Sequence, residues 1–409
     1  MEPLRSVYYK NRGDLTQYEE EYRLRFASPA TRHLGIDIKQ VGRSVAHPAF
    51  FQYTEEIANL LCEISRASQE MQRACGELPP LALEQFRLES IVEEIQATND
   101  IEGVKSTRRE IHDSMRDVAN GGKPKRFDSV LKRYLATTDG NFTPIKTSKE
   151  LRELYDLFIL EEVLLEDPKD APDGQHFRKG AVSIYKASNK VIHRGLFPEE
   201  EIIKAMDKAL SLLNDDKMPR LVAIAVFQYL FGYIHPFYNG NGRTSRFIAS
   251  YYLSQEIDKY SSLRLSVTIN NRKKQYYEMF DKTNDEHSRG ELTYFVTEFL
   301  AMVLVTVREA KALVESKHQQ LERSRKILQE SLRASGTTDA TTCGVYDVLL
   351  LAALFSGFGV TVEEMARTLG VSRNTIYGRL AKIPKEQYTK DCEGRVHRYK
   401  LETLGKLTK

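Results

Sequence analysis

The stretch HPFYNGNGRTSR at residues 235–246 lies between two apolar segments whose spacing predicts helices. Glycines on either side of Asn241 let the backbone turn sharply, so that successive N–H groups converge, and the N-terminal end of the following helix adds positive potential. Arg243 and Arg246 are three residues apart, so both guanidinium groups can lie on one face above the loop and bind further phosphate oxygens. The stretch therefore predicts a site for a polyphosphate.

His235 directly precedes the loop. An imidazole with an ordinary pKa near 6.5 can accept a proton at neutral pH, so His235 is a candidate general base. Phe237 is spaced to pack into the core and hold the loop, and Asn239 offers an amide oxygen for a phosphate or a metal. Each residue alone would suggest only a core histidine before a glycine turn, and their combination favours a reactive site.

The same stretch resembles the Fic family signature H-x-F-x-[D/E]-G-N-G-R-x-x-R. Every fixed residue is present except the acidic one, at whose position Asn239 stands. The resemblance implies that His235 deprotonates a Ser, Thr or Tyr hydroxyl, which attacks the α-phosphate of ATP and expels pyrophosphate. It also implies that loop amides stabilise the developing charge.

The resemblance assigns further residues to the nucleotide. Gly240, Asn241 and Gly242 would hold the α- and β-phosphates, Arg243 the β-phosphate and Arg246 the γ-phosphate. Tyr276 and Tyr277 lie in a stretch similar to the one beside the nucleoside, although a tyrosine pair at a helix start is also typical of plain packing.

Asn239 departs from the family pattern, in which a carboxylate holds Mg²⁺ against the α- and β-phosphates. A neutral amide is a weaker ligand for a hard cation. Three outcomes stay open: Mg²⁺ held mainly by the phosphates, another donor or metal, or reduced transfer.

Glu102 ends a predicted helix over residues 83–103 in which apolar positions recur at steps of three and four, which puts Glu102 on the inward face. A carboxylate there needs a partner, and a helix C-terminus does not favour it. A solvated helix end is the alternative. Residues 98–103 also resemble the Fic inhibitory motif [S/T]-x-x-x-E-[G/N], which implies that Glu102 binds Arg246 and blocks the γ-phosphate, or positions water for removal of AMP.

Residues 177–195 depart from the helical spacing of apolar residues. Apolar pairs flank the polar turn 187–190, and this pattern predicts a β-hairpin. By resemblance the hairpin is the Fic flap, which docks the target as an added strand. The flap residues expected to dock the target are Val182, Ile184, Val191 and Ile192.

The C-terminal segment has a capping box at residues 361–364, a turn at Gly370 and a helix cap at Ser372, a pattern that predicts a helix-turn-helix. Residues 388–401 alternate around the turn at 393–394 and resemble a wing. Arg373, Asn374 and Tyr377 are the candidate DNA contacts. Binding of a protein partner remains the alternative.

Composition sets broad limits. The 60 basic and 57 acidic residues leave a formal net charge of +3, so any nucleic-acid surface has to be local. The four cysteines show no paired spacing, and residues 1–15 lack an apolar signal segment, which favours a cytoplasmic setting. The apolar run 221–234 is too short to cross a membrane and predicts a buried helix.

We expect a mainly α fold, with a small β-hairpin flap and a winged-helix domain. The predicted division is an N-terminal helical region (1–80), a Fic domain (81–330), a flexible linker (331–342) and a winged helix-turn-helix domain (343–409). Helices are predicted near the following residues: 50–73, 83–103, 106–120, 151–165, 199–213, 220–234, 244–253, 271–282 and from 292 into the 320s.

The predicted function is autoinhibited transfer of AMP from ATP, with Mg²⁺, to a hydroxyl of another protein or of the chain itself. Removal of AMP, transfer of another phosphate-linked group, and a DNA-binding regulator with a nucleotide-sensing site are the alternatives. A homodimer is compatible with the sequence.

Overall fold

A computed structural model describes residues 2–11, 15–120, 126–138, 142–185, 191–392 and 396–402. Within these residues the fold is mainly helical with small antiparallel sheets, as predicted. The α-helices are Leu4–Lys10 (α1), Leu15–Ala27 (α2), Glu55–Gly76 (α3), Pro80–Glu102 (α4), Arg108–Asn120 (α5), Asp128–Thr138 (α6), Ser148–Phe158 (α7), Leu160–Glu166 (α8), Glu199–Leu213 (α9), Arg220–Ile234 (α10), Asn241–Glu256 (α11), Lys259–Ser262 (α12), Leu265–Asn271 (α13), Lys273–Thr283 (α14), Thr293–Ala334 (α15), Ala340–Phe355 (α16), Val362–Leu369 (α17) and Arg373–Leu380 (α18). The strands are Thr31–Lys39 (β1), Ala46–Gln52 (β2), Ser183–Tyr185 (β3), Val191–Arg194 (β4), Val360–Thr361 (β5), Tyr388–Asp391 (β6) and Arg398–Leu401 (β7).

The contacts divide the chain into two compact units. The first comprises Met1–Ser68 with Glu94–Val307, and the second comprises Gln69–Glu93 with Arg308–Lys409. Helices α3, α4 and α15 each contribute residues to both units. The division drawn from the sequence at residues 80, 330 and 342 stays a prediction.

The predicted linker 331–342 is mostly helical in the structure. Helix α15 continues to Ala334, and α16 begins at Ala340, where Asp339 caps it by accepting a hydrogen bond from the Thr342 N–H at 2.7 Å. The small polar residues that suggested flexibility therefore lie at the end of α15 and at the start of α16, where Asp339 is the N-cap.

The N-terminal region is not wholly helical, which corrects the prediction. Strands β1 and β2 pair antiparallel, from Thr31 opposite Gln52 to Lys39 opposite Ala46. The signal for β1 was present in the sequence, because Leu34, Ile36 and Ile38 alternate with polar residues and are buried. The helix predicted from about residue 50 begins instead at Glu55, after Thr54 accepts a hydrogen bond from the Ile57 N–H.

Helix α10 forms the centre of the first unit. It is buried along almost its whole length and packs between α9 and α11, which explains why its sequence is apolar on every face. The described residues contain no helix that is both long and apolar enough to cross a bilayer. The predicted segment 151–165 is two helices rather than one, because the helix breaks at Ile159.

The predicted hairpin is present as β3 and β4, with Ile184 opposite His193 and Tyr185 opposite Val191. Val182 lies one residue before β3, and its carbonyl accepts a hydrogen bond from the Gly195 N–H at 3.1 Å. The predicted turn at 187–190 lies outside the described residues.

In the second unit, α17 and α18 are joined through Gly370, which adopts a φ of 65°. The predicted capping box is present, since Thr361 and Glu364 bond each other's backbone N–H groups, and Ser372 accepts from the Thr375 N–H. Strands β5, β7 and β6 form a sheet in that order. The predicted turn at 393–394 lies outside the described residues.

Candidate nucleotide site around residues 235–246

His235 ends helix α10 in the left-handed region, with φ 53° and ψ 63°. This conformation costs a residue with a Cβ about 1–2 kcal/mol. Hydrogen bonds on both sides support it: the His235 N–H donates to the Phe231 carbonyl at 2.9 Å, and the His235 carbonyl accepts from Arg178 Nε at 2.9 Å. The sharp bend ends α10 at the first residue of the loop.

The surroundings of His235 keep its imidazole neutral. Burial is the main cause that lowers the pKa of His235; with smaller contributions from His193 and Arg178 and the opposing effect of Glu102, the resulting pKa is about 3. His193 itself is buried, and its Nε2 lies 2.6 Å from the Tyr233 carbonyl oxygen. A neutral imidazole at pH 7 is the form that can accept a proton.

Asn241 closes the loop. Its Oδ1 accepts from the Phe237 N–H at 3.0 Å, and its Nδ2 donates to the Phe237 carbonyl at 2.8 Å. Phe237 is buried as predicted and stacks on Tyr155 with the ring centroids 3.7 Å apart. The side chain of Asn241 thus shapes the loop, whereas the resemblance had implied a phosphate contact for it.

Gly240 precedes helix α11 with a φ of 74°, and no side-chain hydrogen bond caps the helix there. The first N–H groups of a helix have no intrahelical partner, so an uncapped N-terminus is suited to an anion. A Cβ at Gly240 would lie 3.2 Å from Val163 Cγ2, so glycine here allows both the turn and the close packing.

Arg246 is 1% exposed and is held by the helix that carries Glu102. Its Nε donates to Thr98 Oγ1 at 2.9 Å, and its Nη2 donates to the Thr98 carbonyl at 3.1 Å and to Glu102 Oε1 at 2.8 Å. A Cβ at Gly242 would overlap the Glu102 carboxylate, so this carboxylate lies directly against the loop. The structure therefore brings Glu102, Arg246 and Gly242 together.

The Glu102 carboxylate is ionised in this arrangement. Burial raises its pKa, but the Arg246 guanidinium, helped by Arg243 and His235, outweighs burial and leaves the pKa lowered. The ion pair is therefore fully present above the unfolded pKa of about 4.3 and is lost only as the pH falls through the lower folded pKa. Acidification between pH 8 and 5 does not release it.

Arg243 is fully buried and is bound by helix α8. Its Nη1 and Nη2 donate to the two oxygens of Glu166 at 2.6 and 2.9 Å, and Nη1 lies 3.6 Å from Glu162 Oε2. Sequence reasoning missed both glutamates. Their spacing of four residues places them on one helical face, which was the available signal, but nothing local linked that face to Arg243.

Asn239 is surrounded by the same acidic group. Its Nδ2 donates to Glu166 Oε2 at 3.2 Å and to Asp170 Oδ2 at 3.0 Å, and its Oδ1 accepts from the Gly240 N–H at 2.6 Å. The amide oxygen is thus already bonded, and the nearest glutamate is paired with Arg243. Among the described residues no group of three or more His, Cys, Asp or Glu side chains could hold a metal ion.

The two tyrosines predicted beside the nucleoside differ in environment. Tyr276 is 4% exposed, and its hydroxyl accepts from Gln228 Nε2 at 2.7 Å, so it is a core residue. Tyr277 is 43% exposed, and burial together with Glu102 raises its pKa to about 12. Only Tyr277 offers a ring face to a ligand.

The flap residues Val182, Ile184, Val191 and Ile192 are half-buried on or beside β3 and β4 in the first unit. The candidate DNA contacts Arg373, Asn374 and Tyr377 lie on α18 in the second unit and are exposed, with Tyr377 at 52%. Arg373 pairs with Glu363 at 2.7 Å.

Residues 147–253 match the Fic/DOC family, and this range includes the flap, α10 and the loop 235–246. This range of the chain is therefore similar to a Fic/DOC domain. Comparison with curated proteins found no match.

Similar solved structures include a Fic family protein from Desulfovibrio desulfuricans G20, with 21% identity, a TM-score of 0.49, and coverage of 86% of this chain and 97% of that one. A Fic domain containing signaling protein from Bacteroides thetaiotaomicron has 16% identity, a TM-score of 0.41, and coverage of 62% and 97%. Residues 134–508 of Fic-1 from C. elegans show 17% identity, a TM-score of 0.43, and coverage of 64% and 74%.

Proposed function

We propose that the loop 235–246 binds ATP and that the protein transfers AMP to a Ser, Thr or Tyr hydroxyl of a protein. Fic domain proteins are generally AMP-transferring enzymes or related phosphate-group transferases. The observation that carries the proposal is a neutral imidazole at the first residue of a loop that leads into the uncapped N-terminus of α11.

The proposed reaction assigns a role to each of these groups. His235 takes the proton of the target hydroxyl, the hydroxyl oxygen forms a bond to the α-phosphorus, and the bond to the bridging oxygen breaks so that pyrophosphate leaves. N–H groups at the start of α11 stabilise the added negative charge on the phosphate oxygens. Strands β3 and β4 position the target segment so that its hydroxyl lies where it accepts AMP.

Arg246 controls access in this proposal. It would bind the γ-phosphate, but its Nη2 is occupied by Glu102 and Thr98, and the Glu102 carboxylate lies against Gly242. The resting protein is therefore inhibited, and ATP binds productively once Glu102 withdraws. Since the Asn239 amide oxygen and the Glu166 carboxylate are already bonded within the protein, we assign Mg²⁺ no step, and any bound Mg²⁺ is held mainly by the phosphates.

The test is intact mass measurement after incubation with ATP and Mg²⁺. Glu102→Gly should acquire AMP, whereas wild type and the double variant Glu102→Gly, His235→Ala should not. Asp100→Ala is the matched control, because it removes an exposed carboxylate in the same turn of α4 that does not touch Arg246 and keeps a residue that favours the helix. Equal labelling of all four proteins, or of none, would contradict the proposal.

Other nucleotides separate the related reactions. Incubation of Glu102→Gly with labelled CTP, GTP and UTP tests transfer of another group. Loss of AMP from a modified target in the presence of wild type, but not His235→Ala, would favour the reverse reaction.

We also propose that the second unit binds DNA. Support comes from two short helices joined at Gly370, the three-stranded sheet β5–β7–β6, and exposed Arg373, Asn374 and Tyr377 at the start of α18. Selection from random duplexes, followed by anisotropy, tests this. Arg373→Ala should weaken binding, Lys326→Ala on α15 should not, and a failure to enrich any sequence would favour a protein partner.

A further inference from the structure

Arg178 is fully buried, and its guanidinium contacts three backbone carbonyls. Nε donates to the His235 carbonyl at 2.9 Å, Nη1 donates to the Gly180 carbonyl at 2.5 Å, and Nη2 donates to the Leu196 carbonyl at 2.8 Å. In the described part of the chain no carboxylate pairs with it, so the carbonyl oxygens alone solvate the charge.

These carbonyls belong to three separate segments. One ends helix α10, one precedes strand β3, and one follows strand β4. Backbone hydrogen bonds join the same segments: the Leu196 N–H donates to the Ile234 carbonyl at 3.0 Å, and the Arg178 N–H donates to the Pro236 carbonyl at 3.3 Å. The base of the flap and the residue that carries the imidazole thus form one hydrogen-bonded group.

The chemistry of this contact requires arginine. A planar guanidinium presents its donors in a rigid fork, so it can reach three carbonyls that point in different directions, whereas a lysine ammonium is a compact charge on a flexible stem. Burial lowers the pKa of Arg178, because it removes water from the charge. Burying a cation costs free energy unless hydrogen bonds compensate for the lost water, and here the three carbonyls provide them.

Gly195 makes the contact possible. A Cβ at this position would overlap Arg178 Nη2 and would lie 3.0 Å from His235 Cβ. Its φ is outside the left-handed region, so glycine is needed here for space rather than for backbone conformation. The absence of a side chain lets the guanidinium reach both the flap and His235.

We propose that Arg178 is a positioning residue for His235: its guanidinium holds the left-handed backbone at His235 that aims the imidazole, and fixes the flap at a constant distance from it. The proposal rests on the proposed role of His235 as the base. It assigns Arg178 no contact with ATP or the target, and it predicts an effect on the chemical step rather than on nucleotide binding.

The first test is Arg178→Lys, which keeps the charge but not the fork. In the Glu102→Gly background we expect kcat to fall about 100-fold, because small misplacement of a reacting group has effects of this size. The KM for ATP should change less than about threefold. Arg152→Lys is the matched control, since Arg152 also donates to a backbone carbonyl, that of His176, but does not contact His235.

The second test needs no transfer activity. Histidines labelled with ¹⁵N are followed by NMR between pH 4.5 and 8, and His235 is identified by its loss in His235→Ala. In wild type and Arg152→Lys, His235 should stay neutral throughout. In Arg178→Lys the imidazole should leave its buried position, and its pKa should rise toward the ordinary value of about 6.5.

A folded Arg178→Lys protein with unchanged titration of His235 and unchanged kcat would overturn the proposal. If that variant does not fold, Arg178→Gln provides the same test, because its amide keeps N–H donors but cannot reach three carbonyls at once. An altered titration without any AMP transfer by Glu102→Gly would contradict the proposed function and leave the positioning role intact.

Discussion

Two glutamates of helix α8 face the Arg243 guanidinium, and they are bonded differently. Glu166 accepts two hydrogen bonds from Arg243, whereas neither oxygen of Glu162 has a hydrogen-bond partner in the described structure, although Glu162 is 2% exposed. Burial raises the pKa of Glu162, and Arg243 opposes this effect only in part, so the resulting pKa is about 7. Glu162 therefore gains a proton near neutrality.

Glu162→Gln should therefore stabilise the protein in a pH-dependent way. A folded pKa above the unfolded value of about 4.3 means that wild-type stability is fully present at low pH and falls as the pH rises toward 7. Relative to wild type, the variant should gain on the order of 2–3 kcal/mol in free energy of unfolding between pH 5 and 8. Urea unfolding at both values measures this. Glu161→Gln, at an exposed neighbour, should show no such gain.

Asn239 is neutral in a place where a carboxylate would meet Glu166 and Asp170. Asn239→Asp would lose the hydrogen bonds from Nδ2 and would add a third negative charge. The variant should be less stable without divalent ions, and Mg²⁺ should raise its Tm by several degrees more than that of wild type, because three oxygens then suit a hard cation.

Thermal unfolding with and without Mg²⁺ checks this prediction. Asp173→Asn, a change at an exposed carboxylate outside this group, should leave the response to Mg²⁺ unaltered. An equal rise in Tm for wild type and Asn239→Asp would mean that the wild-type residues already bind the ion.

At the scale of elements, the end of helix α4 determines where Glu102 lies. Gly103 adopts a φ of 75°, and the Val104 N–H donates to the Asn99 carbonyl at 2.9 Å, so the helix stops in a left-handed turn. Lys273 Nζ, from the first turn of α14, donates to the Asp100 carbonyl at 3.3 Å and to the Ile101 carbonyl at 2.5 Å. The lysine thus satisfies two of the last carbonyls, beside the residue that pairs with Arg246.

Lys273→Met should loosen this helix end and release part of the inhibition. Since Thr98 still holds Arg246, we expect self-modification with labelled ATP between that of wild type and that of Glu102→Gly. Lys274→Met, at the exposed neighbouring position, is the control and should match wild type. Identical labelling by Lys273→Met and wild type would show that the Glu102–Arg246 pair needs no help from α14.

At the scale of the whole molecule, every proposed ATP contact lies in the first unit, whereas α16 to α18 lie in the second. Leu349 is fully buried in α16, so Leu349→Ala should lower the stability of the second unit by about 2–5 kcal/mol. The affinity of Glu102→Gly for ATP should change by less than about twofold, because Leu349 belongs to the unit that contributes no proposed ATP contact.

Calorimetric unfolding and ATP titration at 15–20 °C below the transition test this independence. Leu164→Ala, at a half-exposed position in α8, should leave the stability of the second unit unchanged. Loss of ATP affinity in parallel with stability would show that the two units are energetically coupled.

Local patterns predicted much of the fold. Helices α9 and α10, the capping box at Thr361 and the hairpin strands follow from neighbouring residues and were predicted within a few positions. Strands β1 and β2 were missed, because the alternation in β1 is short and the apolar run through Phe50 and Phe51 suited a helix equally well.

The sequence by itself determined which groups the loop brings together: a histidine, two glycines and two arginines lie within twelve consecutive residues, so they share one turn and the helix that follows it. Only the tertiary structure decided which groups those side chains meet. Glu102 and Arg246 are 144 residues apart, and Glu166 and Arg243 are 77 apart. The three carbonyls that bind Arg178 lie on separate segments. Periodicity and capping act over a few residues, whereas contacts across such separations depend on how whole helices pack.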